Sequence, residues 1–159
     1  MANIPYLSCA CFNNCDKLKY IHNLSKTIRF ETSGSGVMYG CSSLEGELDL
    51  TNASWYSGTT KSYDIAGQYF RSTGWSLIRL PKDTSRITSP YVFYNTKRLN
   101  AIIIPGSTLV TITNSNALTG MLSTTNIYVP DDLVDSYKSA SYWSAKASRI
   151  FPLSEYTGS

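Results

Sequence analysis

The chain has 159 residues, of which 42% are hydrophobic and 16% charged, so we expect one globular domain over residues 1–159 rather than a disordered chain. Its net charge of +3 comes without any run of lysine or arginine, which argues against nucleic acid as a partner. The 12 tyrosines, among many Ser, Thr and Asn, are typical both of recognition surfaces and of β-rich repeat proteins.

The N-terminal segment carries no recognisable export signal. MANIPYLSCACFNN lacks the charged start and the long apolar core of a signal peptide. No stretch of the chain approaches the roughly 18–20 apolar residues of a membrane span, so we expect no membrane insertion. Residues 1–12 are expected to form a thin N-terminal edge, in which Pro5, Tyr6 and Leu7 shield the open end of the domain.

The cysteines lie at positions 9, 11, 15 and 41. The spacing of Cys9, Cys11 and Cys15 is compatible with a metal site, but zinc sites usually have paired CxxC or Cys/His spacing. Buried free thiols are the favoured interpretation of these cysteines, and unpaired thiols fit synthesis in a reducing compartment. We therefore expect neither a metal nor another cofactor.

A unit made of an aromatic plug, a capping residue and a short strand recurs along the chain. Its clearest copy is residues 87–105, with Phe93 as the plug and Thr96 as the capping residue. The strand turns Leu99, Ile102 and Ile104 toward a core and leaves Ala101 and Ile103 pointing away. Prolines 81, 105 and 130 end three such strands, at spacings of 24 and 25 residues.

Five imperfect copies of this unit span residues 10–130. Their pattern residues are, in chain order, Phe12, Cys15, Leu18 and Ile21; Met38, Cys41, Leu44, Leu48 and Leu50; Tyr69, Trp75, Ile78 and Leu80; Phe93, Thr96, Leu99, Ile102 and Ile104; Ile127 and Val129. A period in the twenties with one strand per copy predicts a leucine-rich-repeat solenoid. Each copy has too few apolar residues for a core of its own, so neighbouring copies must stack.

The repeat pattern resembles the BspA-like leucine-rich repeats of bacterial surface antigens and bacteriophage proteins. The resemblance implies an α/β or mainly β fold: a right-handed solenoid with short parallel strands on one face and a C-terminal helical cap at residues 131–159. It also implies a small buried residue at the positions of Cys15 and Cys41. A surface-antigen repeat without an export signal indicates either a piece of a larger secreted protein or release by another route, such as a virion.

Two long connections, residues 23–40 and 51–68, are rich in Ser, Thr, Gly and Asn. Connections of this length in a compact repeat domain bulge from one edge and often carry function. Trp55 and Tyr56 in the second connection are candidates for a binding pair, and the alternative is that they fold back over the stack. Residues 109–113 alternate between apolar and polar side chains, which predicts a strand opposite the main sheet.

The C-terminal cap is predicted to begin with a helix after Pro130. Asp131 and Asp132 favour a helix N-terminus, and a role for them with Asp135 as calcium ligands or acid/base groups is the less favoured alternative. Leu133, Val134, Tyr137 and Ala140 form an apolar face at helical spacing. Trp143 is expected to plug the base of the last repeat, and Ile150, Phe151 and Pro152 to add a closing strand.

Equivalent outward residues of a parallel stack line up in rows, and these rows are the predicted binding surface. One row is His22, Asp49, Arg79, Ile103 and Tyr128, and the second is Tyr20, Glu47, Leu77, Ala101 and Asn126. His22 is the single histidine, and no motif ties a Ser or Cys nucleophile to it. We expect no enzyme activity, because no pair of carboxylates and no nucleophile–base pair converges on these rows.

The sequence leaves two functions open. The first is a non-catalytic module for attachment or adhesion, which binds a cell-surface protein or glycan through the strand face or the edge loops. The second is a structural or decoration protein of a bacteriophage virion or tail, whose partners are sister subunits. Tyr and Arg in the rows favour protein contacts, although Tyr with Asn or Asp suits a glycan as well. The expected location is a virion, the bacterial cell surface or the extracellular space.

Overall fold

The computed structural model describes residues 6–8, 10–22, 24, 29–32 and 36–158, and in this part short strands predominate over helices. The strands are β1 (Arg29–Glu31), β2 (Glu47–Asp49), β3 (Ser54–Ser57), β4 (Thr60–Ser62), β5 (Asp64–Ile65), β6 (Leu77–Arg79), β7 (Arg86–Ile87), β8 (Ala101–Ile103), β9 (Thr111–Ile112), β10 (Asn126–Val129) and β11 (Ile150–Pro152). A 3₁₀ turn, Asp131–Leu133, and an α-helix, α1 (Val134–Ser139), lie between β10 and β11.

The main sheet has five parallel strands in the order β11-β10-β8-β6-β2. Leu48 pairs with Ile78, Ile78 with Ile102, and Ile102 with Ile127. Ile127 pairs with Ile150 of the last strand, so one inward aliphatic residue of each strand occupies the same register position. All of these side chains are buried in a single core. The predicted repeat fold with mostly parallel strands is therefore confirmed.

A second, smaller parallel sheet has the order β5-β7-β9. Ile65 pairs with Ile87 and Ile87 with Ile112, which gives a second buried aliphatic column. The strand that the sequence predicts over residues 109–113 is present at Thr111–Ile112. The other two strands of this sheet, β5 and β7, were not predicted, because two-residue strands leave almost no alternation to detect.

Each repeat turn is closed in the same way by a residue with a left-handed backbone. These residues are Asn14, Gly40, Ser72, Asn95 and Gly120, with φ between 55° and 78°. The residue that follows each of them closes the turn with a hydrogen bond to the preceding plug: the hydroxyl of Thr96, for example, donates to the Phe93 carbonyl at 2.8 Å. Asn, Gly and Ser tolerate this backbone conformation better than branched residues do, which explains their recurrence here.

The aromatic plug of the third copy is Phe70 and not Tyr69, as the 24-residue spacing had predicted. The Thr73 hydroxyl donates to the Phe70 carbonyl at 2.9 Å, and the Phe70 ring stacks on Phe93 at 5.4 Å. Tyr69 packs instead against Trp55, with ring centroids 4.9 Å apart. The turn of the third copy is one residue shorter between plug and strand, so a fixed spacing selects the wrong aromatic residue.

The N-terminal part departs from the predicted repeat. Residues 20–22, predicted as the first strand, form none. Instead β1 pairs parallel with β3, and β3 pairs antiparallel with β4 in a hairpin that turns at Gly58. Phe30 and Trp55 are fully buried and in contact edge to face at 6.2 Å. The connections 23–40 and 51–68 therefore carry core residues and a third sheet. The free energy gained by burying the rings of Phe30 and Trp55 exceeds the cost of ordering the polar residues around them.

The cysteines divide into exposed and buried thiols. Cys41 is buried, its thiol donates to the Phe12 carbonyl at 2.7 Å, and burial raises its pKa to about 11. Cys11 and Cys15 are free and exposed, so the expectation of a buried Cys15 is wrong. Cys15 belongs to the first copy, which no earlier copy covers. Cys9 lies outside the described residues, and within them no group of three or more His, Cys, Asp and Glu side chains is arranged to hold a metal.

The C-terminal cap seals the last repeat through Val110. The Val110 N–H donates to the Tyr137 hydroxyl at 2.9 Å, and the Trp143 indole N–H donates to the Val110 carbonyl at 2.7 Å. Both aromatic side chains are fully buried and meet edge to face at 5.3 Å. The two rings thus satisfy both backbone groups of one buried residue where the stack ends.

We predict that Tyr137→Phe lowers the free energy of unfolding by about 1–3 kcal/mol, because the buried Val110 N–H loses its acceptor. Urea unfolding followed by circular dichroism measures the difference. Tyr142→Phe is the matched control, since Tyr142 is exposed, and it should stay within about 0.5 kcal/mol of wild type. Equal stability of the two variants would contradict the role assigned to the Tyr137 hydroxyl.

We also predict that the protein loses stability in alkaline solution. Burial raises the pKa of Tyr137 to about 12 and that of Cys41 to about 11. Both groups ionise at lower pH in the unfolded chain, so their contribution is fully present below about pH 8.5 and is lost as pH rises toward 11–12. Urea midpoints between pH 8 and 11 should fall steadily, and less steeply in Tyr137→Phe. A flat profile would refute this linkage.

Candidate binding face

The strand face, defined as the side of the main sheet that carries the two predicted rows, is assembled by the sheet register. Arg79 pairs with Asp49 and with Ile103, and Ile103 pairs with Tyr128. The second row follows the same register, with Glu47, Leu77, Ala101 and Asn126 side by side. The structure therefore brings together, in each row, the four residues that lie on β2, β6, β8 and β10. His22 of the first row lies in a turn and is exposed.

Residues 153–158 cover the middle of the strand face. Leu77, Ala101 and Ile103 are buried and form a second apolar cluster, against which Leu153 and Tyr156 pack. Ile103 is only 1% exposed, so its predicted role as a surface contact is corrected: it lies beneath the chain's own C-terminal segment. Covering an outward apolar residue stabilises the fold, because the burial of apolar surface contributes about 25 cal/mol of free energy per Å².

Three half-buried side chains form a ridge along this cover. The Arg79 guanidinium carbon lies 5.0 Å from the centroid of the Tyr156 ring, and Tyr128 meets Tyr156 edge to face at 5.0 Å. Burial and the nearby Glu47 carboxylate raise the pKa of Tyr156, while Arg79 opposes the shift. The cation–π contact keeps the Arg79 charge over the Tyr156 ring, and arginine beside tyrosine is a combination common at recognition surfaces.

A cavity of about 180 Å³ lies beside this ridge. It is lined by Ser76, Leu77, Asn100, Ala101, Asn126, Tyr128, Tyr156, Thr157 and Gly158. Two buried polar atoms at its wall, Asn126 Oδ1 and the Tyr156 hydroxyl, make no hydrogen bond within the described residues. A buried polar group without a partner costs free energy, so the wall offers one acceptor and one donor or acceptor to a bound molecule.

Asp131 anchors the covering segment. Its carboxylate accepts a hydrogen bond from the Ser154 backbone N–H at 3.1 Å, and hydrogen bonding to Ser154 lowers its pKa. No side-chain capping bond is present at the start of the 3₁₀ turn or of α1. The predicted capping hydrogen bonds of Asp131 and Asp132 are therefore not formed. The Asp131 carboxylate instead holds the C-terminal segment on the strand face.

The N-terminal end of the strand face is polar. The Tyr20 hydroxyl donates to Glu45 Oε2 at 2.7 Å, and Lys19 lies 3.5 Å from the same carboxylate. The hydrogen bond from Tyr20 and the charge of Lys19 lower the pKa of Glu45, and the bond to Glu45 raises that of Tyr20. Tyr20 is 57% exposed and Asp49 is exposed as well, so both are accessible to a partner.

Trp55 and Tyr56, the candidate pair in the second connection, have different surroundings. Trp55 is fully buried and its indole N–H donates to the Thr84 hydroxyl at 2.9 Å, so it is a core residue that a ligand cannot reach. The alternative interpretation, in which it folds back over the stack, describes it correctly. Tyr56 is half-buried, with the Arg29 guanidinium carbon 4.7 Å from its ring centroid.

The family model for the BspA-type leucine-rich repeat region matches residues 2–56 and 63–156 in six copies. The chain belongs to this family. Leucine-rich repeats generally mediate protein–protein or surface binding rather than catalysis, and BspA-type proteins are often found at cell surfaces or outside cells. The family model counts six copies where the residue pattern predicts five. No curated protein matches the chain.

In this BspA-type chain, the strand-face residues that the sequence did not reveal are Leu153 and Tyr156. The repeat pattern predicts the closing strand at residues 150–152 but contains no signal for the segment after it. The one indication in the sequence is Ile103, because an isoleucine at an outward position suggests that another segment covers it. Among the described residues, no helix is long and apolar enough to span a membrane.

We predict that Tyr156→Ala uncovers the apolar cluster of the strand face. The variant should unfold about 1–3 kcal/mol more easily and bind more of a hydrophobic dye such as ANS, because Leu77 and Ile103 become exposed. Dye fluorescence and urea unfolding test both effects. Glu155→Ala, an exposed neighbour, is the control and should change neither. Unchanged dye binding in Tyr156→Ala would show that the segment does not cover the cluster.

Proposed function

We propose that this protein is a non-catalytic binding module for attachment or adhesion to a protein or glycan on a cell surface. The single observation that carries the proposal is the strand face, where Arg79 and Tyr128 of the parallel sheet and Tyr156 of the covering segment form a half-buried aromatic and cationic ridge. Rigid elements that present Tyr and Arg lose little conformational entropy on binding, which favours affinity.

We further propose that the stack is a right-handed leucine-rich-repeat solenoid. The family match and the parallel pairing of strands 23–30 residues apart support this architecture. A parallel connection within one sheet is right-handed in about 98% of cases, which supports the proposed handedness. In such a stack, both rows lie on one side of the main sheet, and the segment with Leu153 and Tyr156 that covers their middle is part of the surface that a large partner would contact.

The proposed contact residues are Tyr20, His22, Asp49, Arg79, Tyr128 and Tyr56. The strand-face members grade from acidic and polar near β2 to aromatic near β10, because Glu47 and Asp49 lie at one end and Tyr128 at the other. A partner surface with basic groups at one end and apolar or aromatic groups at the other is complementary to this gradient.

The carrier that we propose is a bacteriophage particle or a bacterial cell surface. The resemblance of the repeats to those of surface antigens and phage proteins supports both. The main alternative, a structural or decoration protein of a virion or tail, uses the same surfaces to bind sister subunits. The two functions differ in whether the isolated protein binds cells or itself.

We predict that the fluorescently labelled protein binds intact bacterial cells, and that Arg79→Ala combined with Tyr128→Ala lowers the binding at least tenfold. The two changes remove two of the three side chains of the strand-face ridge but leave the buried aliphatic column intact. Flow cytometry measures the binding, and light scattering at the same concentration measures self-association. The matched control is Arg86→Ala with Tyr63→Ala, an Arg–Tyr pair from the region of the smaller sheet.

Equal loss of binding in both double variants would argue against a specific strand face. Binding that survives the strand-face variant would move the site to the edge loops. An absence of cell binding together with higher-order assembly would refute attachment and support the structural function instead.

A further inference from the structure

The repeat turns place one side chain of each copy in a row at a second edge of the stack. This turn row consists of the residues directly before the left-handed turn residues, namely Asn13, Tyr39, Arg71, Tyr94 and Thr119. Its backbone is fixed by hydrogen bonds between successive turns: the Gly40 N–H donates to the Arg71 carbonyl at 3.0 Å, and the Ser72 N–H to the Tyr94 carbonyl at 2.8 Å. Arg71 therefore lies between two tyrosines.

Arg71 is held within a cage of tyrosine rings. Its guanidinium carbon lies 5.2 Å from the ring centroid of Tyr94, 5.4 Å from that of Tyr39 and 5.6 Å from that of Tyr91. Its Nη1 donates to Gln68 Oε1 at 2.8 Å, which fixes the plane of the guanidinium. The side chain is thus ordered before any ligand arrives, so less entropy is lost when it binds one.

The charge of Arg71 is not neutralised by a carboxylate. None of the four ion pairs in the described part of the chain includes it. Its Nε is buried and has no hydrogen-bond partner among the described residues, so an incoming carboxylate would meet the two terminal nitrogens, Nη1 and Nη2. A guanidinium presents a fork of N–H donors that matches a carboxylate in two parallel hydrogen bonds, so this charge favours a carboxylate ligand.

An open depression at Arg71 has the lining that a sugar ring requires. Its volume is about 430 Å³, within the range of small-molecule sites, and Arg71, Tyr91, Tyr94 and Thr119 line it. The lining combines aromatic faces, a hydroxyl and a guanidinium without any aliphatic side chain, which suits a ligand that carries both C–H faces and polar groups. The electron-rich face of a tyrosine ring attracts the weakly positive C–H groups of a sugar, and its hydroxyl bonds the sugar hydroxyls.

The backbone also makes room for this arrangement. Gly120 has a φ of 71°, and a Cβ on it would lie 2.2 Å from Cδ2 of the Tyr94 ring. Only glycine therefore lets the Tyr94 ring lie over this turn. Tyr91 itself has a left-handed backbone, with φ of 59°, which bulky residues rarely adopt, and its ring meets Tyr94 edge to face at 5.7 Å.

We propose that the turn row binds the carboxylate-bearing sugar of an acidic glycan, with Arg71 pairing with the carboxylate and Tyr91 and Tyr94 contacting the sugar ring. The site lies apart from the strand-face ridge and requires none of its residues. It adds a second binding surface, with a defined class of ligand, to the proposed function.

The test uses the full chain on an array of uronate- and sialate-bearing oligosaccharides, each beside its carboxyl-reduced neutral counterpart. The strongest binder is then titrated by calorimetry. We expect binding to acidic glycans only, and an increase of at least tenfold in Kd for Arg71→Gln. The matched control is Arg29→Gln, which removes the same charge from an exposed arginine over the single ring of Tyr56 and should leave Kd unchanged.

Several outcomes would overturn the proposal: equal binding of the neutral counterparts, equal losses in Arg71→Gln and Arg29→Gln, or no binding to any acidic glycan. Tighter binding of an acidic peptide than of every glycan would replace it with a protein partner. Arg79→Ala combined with Tyr128→Ala should retain the glycan affinity, so failure of this site and failure of the strand face are distinguishable. Circular dichroism verifies that each variant is folded.

Discussion

The structure depends on the register of its parallel strands, which places one aliphatic residue of each strand in a continuous buried column. Leu48, Ile78, Ile102, Ile127 and Ile150 occupy equivalent positions. A slip of one residue in any strand would turn its apolar set outward and bring polar side chains inside, so burial specifies the register strongly. The same register aligns the outward residues, and both candidate binding surfaces follow from it: the strand face directly, and the turn row through the hydrogen-bonded turns.

The regular half of the chain could be read from the sequence because its periodicity is local. Spacings of 24 and 25 residues between the prolines that end β6, β8 and β10 specify the strands, their inward residues and their alignment. The N-terminal half could not be read this way, since its strands are irregularly spaced. The fragment Ser54–Ser57 has the same polar–aromatic mixture as an exposed loop, and only the burial of Trp55 against Phe30 decides its structure.

The two candidate binding surfaces differ in how far sequence alone could reveal them. The strand-face rows were predicted from register, but their cover by Tyr156 was not, because that contact joins segments more than 50 residues apart without any periodic signal. The turn row was equally accessible in principle, since its members precede the turn residue of every copy. It was missed because the left-handed backbone that defines those turns is visible only in the structure.

The placement of Tyr156 over Leu77 and Ile103 also has a consequence for biosynthesis. Chains emerge from the ribosome N-terminus first at about 5–20 residues per second, so the roughly 80 residues from Leu77 to Tyr156 take about 4–16 s to add. During that interval the stack can form from its first copies while the apolar cluster of the strand face has no cover. The growing chain therefore exposes this apolar patch until residues 153–156 have been added, and the patch is where a chaperone, or a neighbouring nascent chain, would bind.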